Sequence, residues 1–198
     1  MKNSKLLVLS IIFIALFFLI FLSLNNFNVL DKAVNSFSIK IQTSSLVQIA
    51  KVISWLFEPL IIIIASLIIA VSLFKASKKD SILFSSLMIV TGLVDYTLKS
   101  LIERARPENA LIAETNFSFP SGHALISLVF FGFLTYLLLE KTKSSSKRAI
   151  VIVSASFLIL LISFSRIYLN VHWFSDVLAS FSLGLFLLLV FIFLRKNI

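Results

Sequence analysis

The chain contains two histidines, and both sit in the same kind of sequence, a short polar motif beside an apolar segment. His123 closes Pro120-Ser121-Gly122-His123, and His172 stands six residues after Arg166 and four before Asp176. Upstream, Lys99 is separated by six residues from Arg106-Pro107. Basic side chains, two imidazoles and one carboxylate, all at the ends of apolar segments, describe a site that handles phosphate at a membrane surface. A phosphoryl group in transfer spreads negative charge over its equatorial oxygens, so catalysis consists largely of positioned cations and N–H donors. Arginine offers a planar bidentate fork and lysine a point charge.

Each piece also has a plainer reading on its own. Lys99, Arg106 and Arg166 could be interfacial cations that snorkel to water. Ser121 is a fair helix N-cap, Gly122 lets a backbone N–H approach a ligand, and exposed N–H groups at a helix start make an anion site, but an ordinary capped helix start has the same composition. His172 and Asp176, spaced i, i+4, fall on one helical face. They are either a helix-starting ion pair or an imidazole whose tautomer is fixed by the carboxylate, leaving its other nitrogen free to attack. His123, His172 and Asp176 are also a legitimate metal set. Three nearby cations repel a metal ion and attract anions, so no metal is expected.

Other polar residues take lesser parts. Asp95, four residues before Lys99, is expected to pair with it or temper the local positive field. Glu58-Pro59 reads as a cap or bend at the outer start of the second span. Glu103, Arg104, Glu108 and Glu114 belong to an outer loop, where they contact headgroups or are solvated.

These residues need a scaffold, and the composition names it. Of 198 residues, 59% are hydrophobic and 21 are Phe, gathered in long runs rather than amphipathic stripes. The runs predict an all-α, six-transmembrane helical bundle, with spans near Leu6–Leu24, Val52–Leu73, Ile82–Leu98, Ala124–Leu139, Ala149–Phe164 and Val177–Leu194. One membrane domain over 1–198 is expected, with the motifs in a core at about 82–194. The first run lacks a clear small-x-small cleavage site and reads as a retained anchor. Between the first two spans, Val29, Leu30, Ala33, Val34 and Phe37 recur at helical spacing, as in an interfacial amphipathic helix that guides lipid, or in a loop packed on the bundle.

With the N-terminus inside, eleven basic residues fall on the cytoplasmic side: Lys2, Lys5, Lys75, Lys78, Lys79, Lys141, Lys143, Lys147, Arg148, Arg195 and Lys196. Seven fall outside: Lys32, Lys40, Lys51, Lys99, Arg104, Arg106 and Arg166. The positive-inside bias therefore predicts cytoplasmic termini, a plasma-membrane protein, and a site at the outer membrane–water interface. The net charge of +9 flanks apolar spans, so topology and anionic headgroups account for it rather than nucleic acid. The absence of cysteine excludes disulfides, thiol nucleophiles and thiolate metal sites.

In order, the three blocks resemble the signature of the type-2 phosphatidic acid phosphatase superfamily, which also holds vanadium haloperoxidases and bacterial acid phosphatases. That signature is Lys, six residues, Arg-Pro; then Pro-Ser-Gly-His; then Ser-Arg, five residues, His, three residues, Asp. Lys99, Arg106, Pro107, Pro120, Ser121, Gly122, His123, Ser165, Arg166, His172 and Asp176 match every defining position. The resemblance implies that His172 is a nucleophile forming a phosphohistidine and that Asp176 orients it. It implies that His123 protonates the leaving oxygen and then activates water, while Lys99, Arg106, Ser121, Gly122 and Arg166 bind phosphate. It implies no cofactor and no metal. The expected partners are the bilayer and a phosphorylated membrane lipid, with undecaprenyl diphosphate favoured and phosphatidylglycerophosphate, phosphatidic acid and lipid A as alternatives. A phosphotransferase using an alcohol acceptor, or a non-enzymatic scaffold or transporter, is the competing class.

Overall fold

Eight helices, and no strand, make up the described residues 3–197 of the computed structural model. They are α1 (Asn3–Leu22), α2 (Asn28–Ile41), α3 (Ser44–Leu56), α4 (Pro59–Ala76), α5 (Lys78–Ile102), α6 (Gly122–Lys141), α7 (Ser145–Tyr168) and α8 (Phe174–Asn197). Lys2, counted above toward the orientation, lies outside the described residues. Among those residues, six helices, α1 and α4 to α8, are long and apolar enough to cross a membrane.

The second span starts later than its apolar run suggests. Val52–Leu56 belong to α3, and the chain breaks at Phe57-Glu58 before α4 begins with Pro59 in its first turn. Proline has no N–H to donate inside a helix and its ring strikes the preceding turn, whereas at the first helical position neither matters. One continuous apolar stretch thus becomes two helices.

The α6 helix forms the centre. It packs against α4, α5, α7 and α8, while α1 lies along α8. Phe84 and Phe133 are fully buried and stack with ring centroids 5.9 Å apart, joining α5 to α6. The α6–α8 contact is close at a small residue: a Cβ on Gly132 would sit 2.6 Å from Leu188 Cδ2, so a larger residue there would require the Leu188 side chain to move.

At one end of the bundle, Asn3 Nδ2 donates to Asn197 Oδ1 at 2.8 Å, and Arg195 pairs with Asp80 at 2.5 Å and Glu140 at 2.6 Å. The opposite end collects the C-terminal turns of α5 and α7 and the N-terminal turns of α6 and α8. Lys99, Arg166, His123 and Asp176 occupy those turns.

The segment between the first two spans forms two helices. The α2 helix carries its apolar residues outward: Val29, Leu30, Ala33 and Phe37 are exposed. Its polar stripe faces the protein, with Asp31 and Ser38 buried seven residues apart. Lys32, Ser36 and Lys40 are exposed as well, so the outer side of α2 is apolar with basic residues beside it, the composition of an amphipathic helix.

Candidate active site

His172 lies in the turn between α7 and α8, two residues before the helix starts. It therefore does not share a helical face with Asp176, as the spacing alone suggested. The cause is a reciprocal cap: Asp176, third residue of α8, accepts the Trp173 N–H at Oδ2 (2.9 Å). His172 Nδ1 still lies 3.5 Å from Asp176 Oδ2, but its hydrogen-bond partner is the Ser118 carbonyl at 2.7 Å. A carbonyl only accepts, so Nδ1 carries the proton and Nε2 the lone pair.

That lone pair faces a guanidinium. Arg106 Nη1 donates to His172 Nε2 at 3.1 Å. The guanidinium is held from behind by carbonyls, through Nη1 to Val171 (2.6 Å), Nε to Asn116 (2.8 Å) and Nη2 to Phe117 (3.2 Å), and by the Asn116 side chain. Burial lowers the Arg106 pKa from its ordinary value, with Glu114 opposing that effect. Burial, and then Arg106, Arg166 and Lys99, hold the His172 pKa well below the usual imidazole value. His172 is therefore a neutral base among cations at neutral pH.

The remaining motif residues converge on the same end. Lys99 Nζ bonds Asp95 Oδ1 at 2.5 Å, the pairing its spacing suggests, and reaches the Pro120 carbonyl at 2.8 Å. A Cβ on Gly122 would sit 3.1 Å from Asp95 Oδ2 and 3.3 Å from Lys99 Nζ, so glycine lets this ion pair lie against the start of α6. Ser121 occupies the N-cap position, but its Oγ caps nothing. That oxygen and Arg166 Nε are buried without a hydrogen-bond partner. An unpaired buried polar atom costs roughly 1–3 kcal/mol, and an anion oxygen is a partner for both donors.

Arg166 is 1% exposed and bonds the Ser54 hydroxyl and the Glu114 carboxylate. Glu114 also lies 3.7 Å from Arg106 Nη2, so one carboxylate sits between two arginines. A cleft of about 430 Å³ opens beside Arg106, under Ala110–Glu114. His123 Nε2 donates to the Ser54 carbonyl at 3.2 Å and faces Glu58 Oε2 at 3.6 Å. The facing imidazole, and less strongly Arg166, lower the Glu58 pKa against the opposing effect of burial. Glu58 therefore faces His123 as well as being the residue before Pro59.

Two loop residues expected to contact headgroups or to be solvated are instead bonded within the site. One is Glu114. The other is Arg104, which donates through Nη1 to Asp176 Oδ1 (2.5 Å) and Ser175 Oγ (2.7 Å), and through Nη2 to Asp31 Oδ2 (2.7 Å). Ser118 was not singled out in the sequence; its part is played by a main-chain carbonyl, to which the side-chain type gives no clue. Asp31 had a faint signal as the one carboxylate between Asn25 and Lys51.

Comparison with known proteins agrees with the motif reading. A stretch of 131 residues, 65% of this chain, is 37% identical to "Phosphatidylglycerophosphatase B" of Bacillus subtilis (strain 168) and covers 63% of that protein. Another of 119 residues, 57% of the chain, is 33% identical to an "Undecaprenyl-diphosphatase" of Sulfolobus acidocaldarius and covers 53% of it. These matches thus span less than two thirds of either relative. The fold aligns over 100% of this chain and 97% of the other with the crystal structure of a transmembrane PAP2 type phosphatidylglycerolphosphate phosphatase from Bacillus subtilis, at a TM-score of 0.77 and 30% identity. Residues 81–198 match the family described as the PAP2 superfamily, and with the three motifs gathered at one end of a six-span bundle, the chain belongs to that superfamily.

Proposed function

We propose that this protein is an integral-membrane lipid phosphatase that cleaves a phosphomonoester or diphosphate from a hydrophobic anchor through a phosphohistidine on His172. One observation carries the reading: a buried neutral imidazole presents Nε2 to Arg106 while Nδ1 is tied to a carbonyl. The Nε2 lone pair attacks phosphorus and the bond to the lipid oxygen breaks, with that oxygen taking a proton from His123. Water then attacks the phosphohistidine and gives its proton to His123. The P–N bond breaks and its electron pair returns to Nε2. Lys99, Arg106, Arg166, Ser121 and the Gly122 backbone hold the phosphoryl oxygens as charge builds on them. The cations surrounding the phosphate do the work a metal ion would otherwise do, so the reaction is metal-independent.

A lipid substrate is supported by an apolar groove of about 340 Å³ lined by Ile63, Leu67, Met88, Ile89, Gly92 and Leu93. Its lining includes Ile126, one helical turn along α6 from His123. The basic residues at the opposite end of the bundle favour an outward-facing site in the plasma membrane with cytoplasmic termini. That orientation suits undecaprenyl diphosphate, which is recycled from the outer leaflet. Phosphatidylglycerophosphate is the second reading, favoured by the near-complete structural match to a phosphatase of that lipid.

The test is phosphate release by detergent-purified protein with chelator present, offering undecaprenyl diphosphate, phosphatidylglycerophosphate and phosphatidic acid in parallel and His172→Ala as control. Release by wild type alone supports the reading, and the ranking of kcat/KM selects the lipid. Activity abolished by chelator would contradict metal independence. No release from any of the three would shift the case toward an untested lipid, an alcohol acceptor or a non-catalytic role.

A further inference from the structure

We infer that Arg104 and Asp31 are positioning residues for catalysis, through which the amphipathic helix α2 holds Asp176 in place. The inference rests on the phosphatase reading above.

Asp176 is fully buried and its two oxygens have separate tasks. Oδ2 accepts the Trp173 N–H and faces His172 Nδ1, while Oδ1 receives Arg104 at 2.5 Å. The rotation of this carboxylate is therefore held by the Trp173 N–H on one oxygen and by Arg104 on the other, and loss of Arg104 frees Oδ2 to move relative to the imidazole. Arg104 is itself fixed from the far side by Asp31, 2% exposed, whose Oδ2 accepts Nη2 at 2.7 Å. Asp31 makes two further bonds, accepting the Ser175 N–H at Oδ1 (2.9 Å) and the Ser175 hydroxyl at Oδ2 (2.6 Å). A carboxylate from α2 thus satisfies free donors of the first turn of α8, the turn that presents Asp176.

The chain of contacts runs Asp31, Arg104, Asp176, His172, and its first member sits on the inner stripe of a helix whose other side exposes Val29, Leu30 and Phe37. A helix seated by these residues in the interface fixes the depth and rotation of Asp31. Among the described residues, the side chains of Arg104 and Asp31 bond one another, Ser175 and Asp176, and not Arg106, Arg166 or Lys99. Their loss should thus affect the chemical step more than substrate binding. A misplacement of about 1 Å relayed to a reacting group can cost on the order of a hundredfold in rate.

The experiment measures kcat, KM and the inhibition constant of inorganic phosphate for wild type, Asp31→Asn, Arg104→Lys and the double variant, in detergent, on the lipid that wild type hydrolyses fastest. The expected result is that each single variant loses about tenfold in kcat with KM and phosphate inhibition within about twofold of wild type. The double variant should lose no more than the worse single one, because both act through one carboxylate. An unchanged kcat with only a lowered unfolding temperature would make these residues structural and overturn the inference. So would losses that multiply in the double variant, or a rise in KM matching the fall in kcat. If Asp31→Asn fails to fold, Arg104→Lys, which keeps the charge beside Asp176 but not the fork, decides by the same kcat and KM criteria. Wild type active with unaffected variants defeats this inference alone, whereas wild type inactive on every lipid phosphate defeats the phosphatase reading and this inference with it.

Discussion

His172 Nδ1 donates its proton to the Ser118 carbonyl at 2.7 Å, while the Asp176 carboxylate stands farther off at 3.5 Å. The main chain fixes the tautomer and the carboxylate supplies charge next to it. Ser118 is in turn held to the start of the outer loop, its N–H donating to the Arg104 carbonyl at 2.9 Å and its hydroxyl to that of Ala105 at 3.1 Å. Orientation of the nucleophile therefore depends on the loop's backbone path as well as on the motif side chains.

The pH profile should carry the mark of this burial. His172 has its pKa held well below 6.5, so Nε2 keeps its lone pair at pH 6.5, where a free imidazole would be half protonated. The acid limb of kcat/KM that belongs to His172 is expected below pH 6.5. A limb at or above that value, on a substrate with no ionisation in the range, would contradict the buried neutral imidazole. Stability follows the same sign. Between the lowered folded pKa and the unfolded value, the unfolded chain binds more protons, so stability falls as pH drops through that window. Denaturant titrations of wild type and His172→Gln should diverge in pH dependence only there.

Glu58→Gln tests the carboxylate that faces His123. The carboxyl is held below its usual range by the imidazole 3.6 Å away, so it is ionised at neutral pH and can balance an imidazolium. Its neutral amide analogue should lower kcat by about tenfold, part of what a general acid contributes. Unchanged kcat would assign Glu58 only the task of starting α4.

Gly92→Trp tests the apolar groove. A Cβ at Gly92 meets nothing within 4 Å and Gly92 lines the groove, so an indole attached there would take up part of its space. The ratio of kcat/KM for a long-chain lipid to that for a small soluble phosphate ester should fall by about tenfold, the scale on which hydrophobic pockets discriminate. An unchanged ratio would place the tail elsewhere.

Much of this architecture can be read from the sequence because its determinants are local. Long apolar runs give spans, and Lys99, His123, Arg166 and Asp176 lie in their terminal turns, with Arg106 and His172 in the adjoining loops. What escaped has one of two physical causes. Some signals were local but outweighed: Pro59 splits an apolar run that hydropathy alone joins, and Asp176 three residues after Trp173 marks a helix start that leaves His172 outside. Others exist only in three dimensions. Arg104 looks like a loop cation until Asp31, 73 residues earlier, and Asp176, 72 residues later, close on it. Ser54 receives Arg166 and His123 from a helix whose sequence carries no motif.

The covalent intermediate is the most direct test of the central claim. Purified protein mixed for milliseconds with lipid labelled in its transferable phosphate, quenched in alkali where phosphohistidine survives, and mapped by peptide mass spectrometry, should carry one phosphoryl group on His172. The His172→Ala variant, with unfolding temperature near that of wild type, should carry none and turn over at least about a thousandfold more slowly. Label on another residue, or near-wild-type turnover in His172→Ala, would contradict the account.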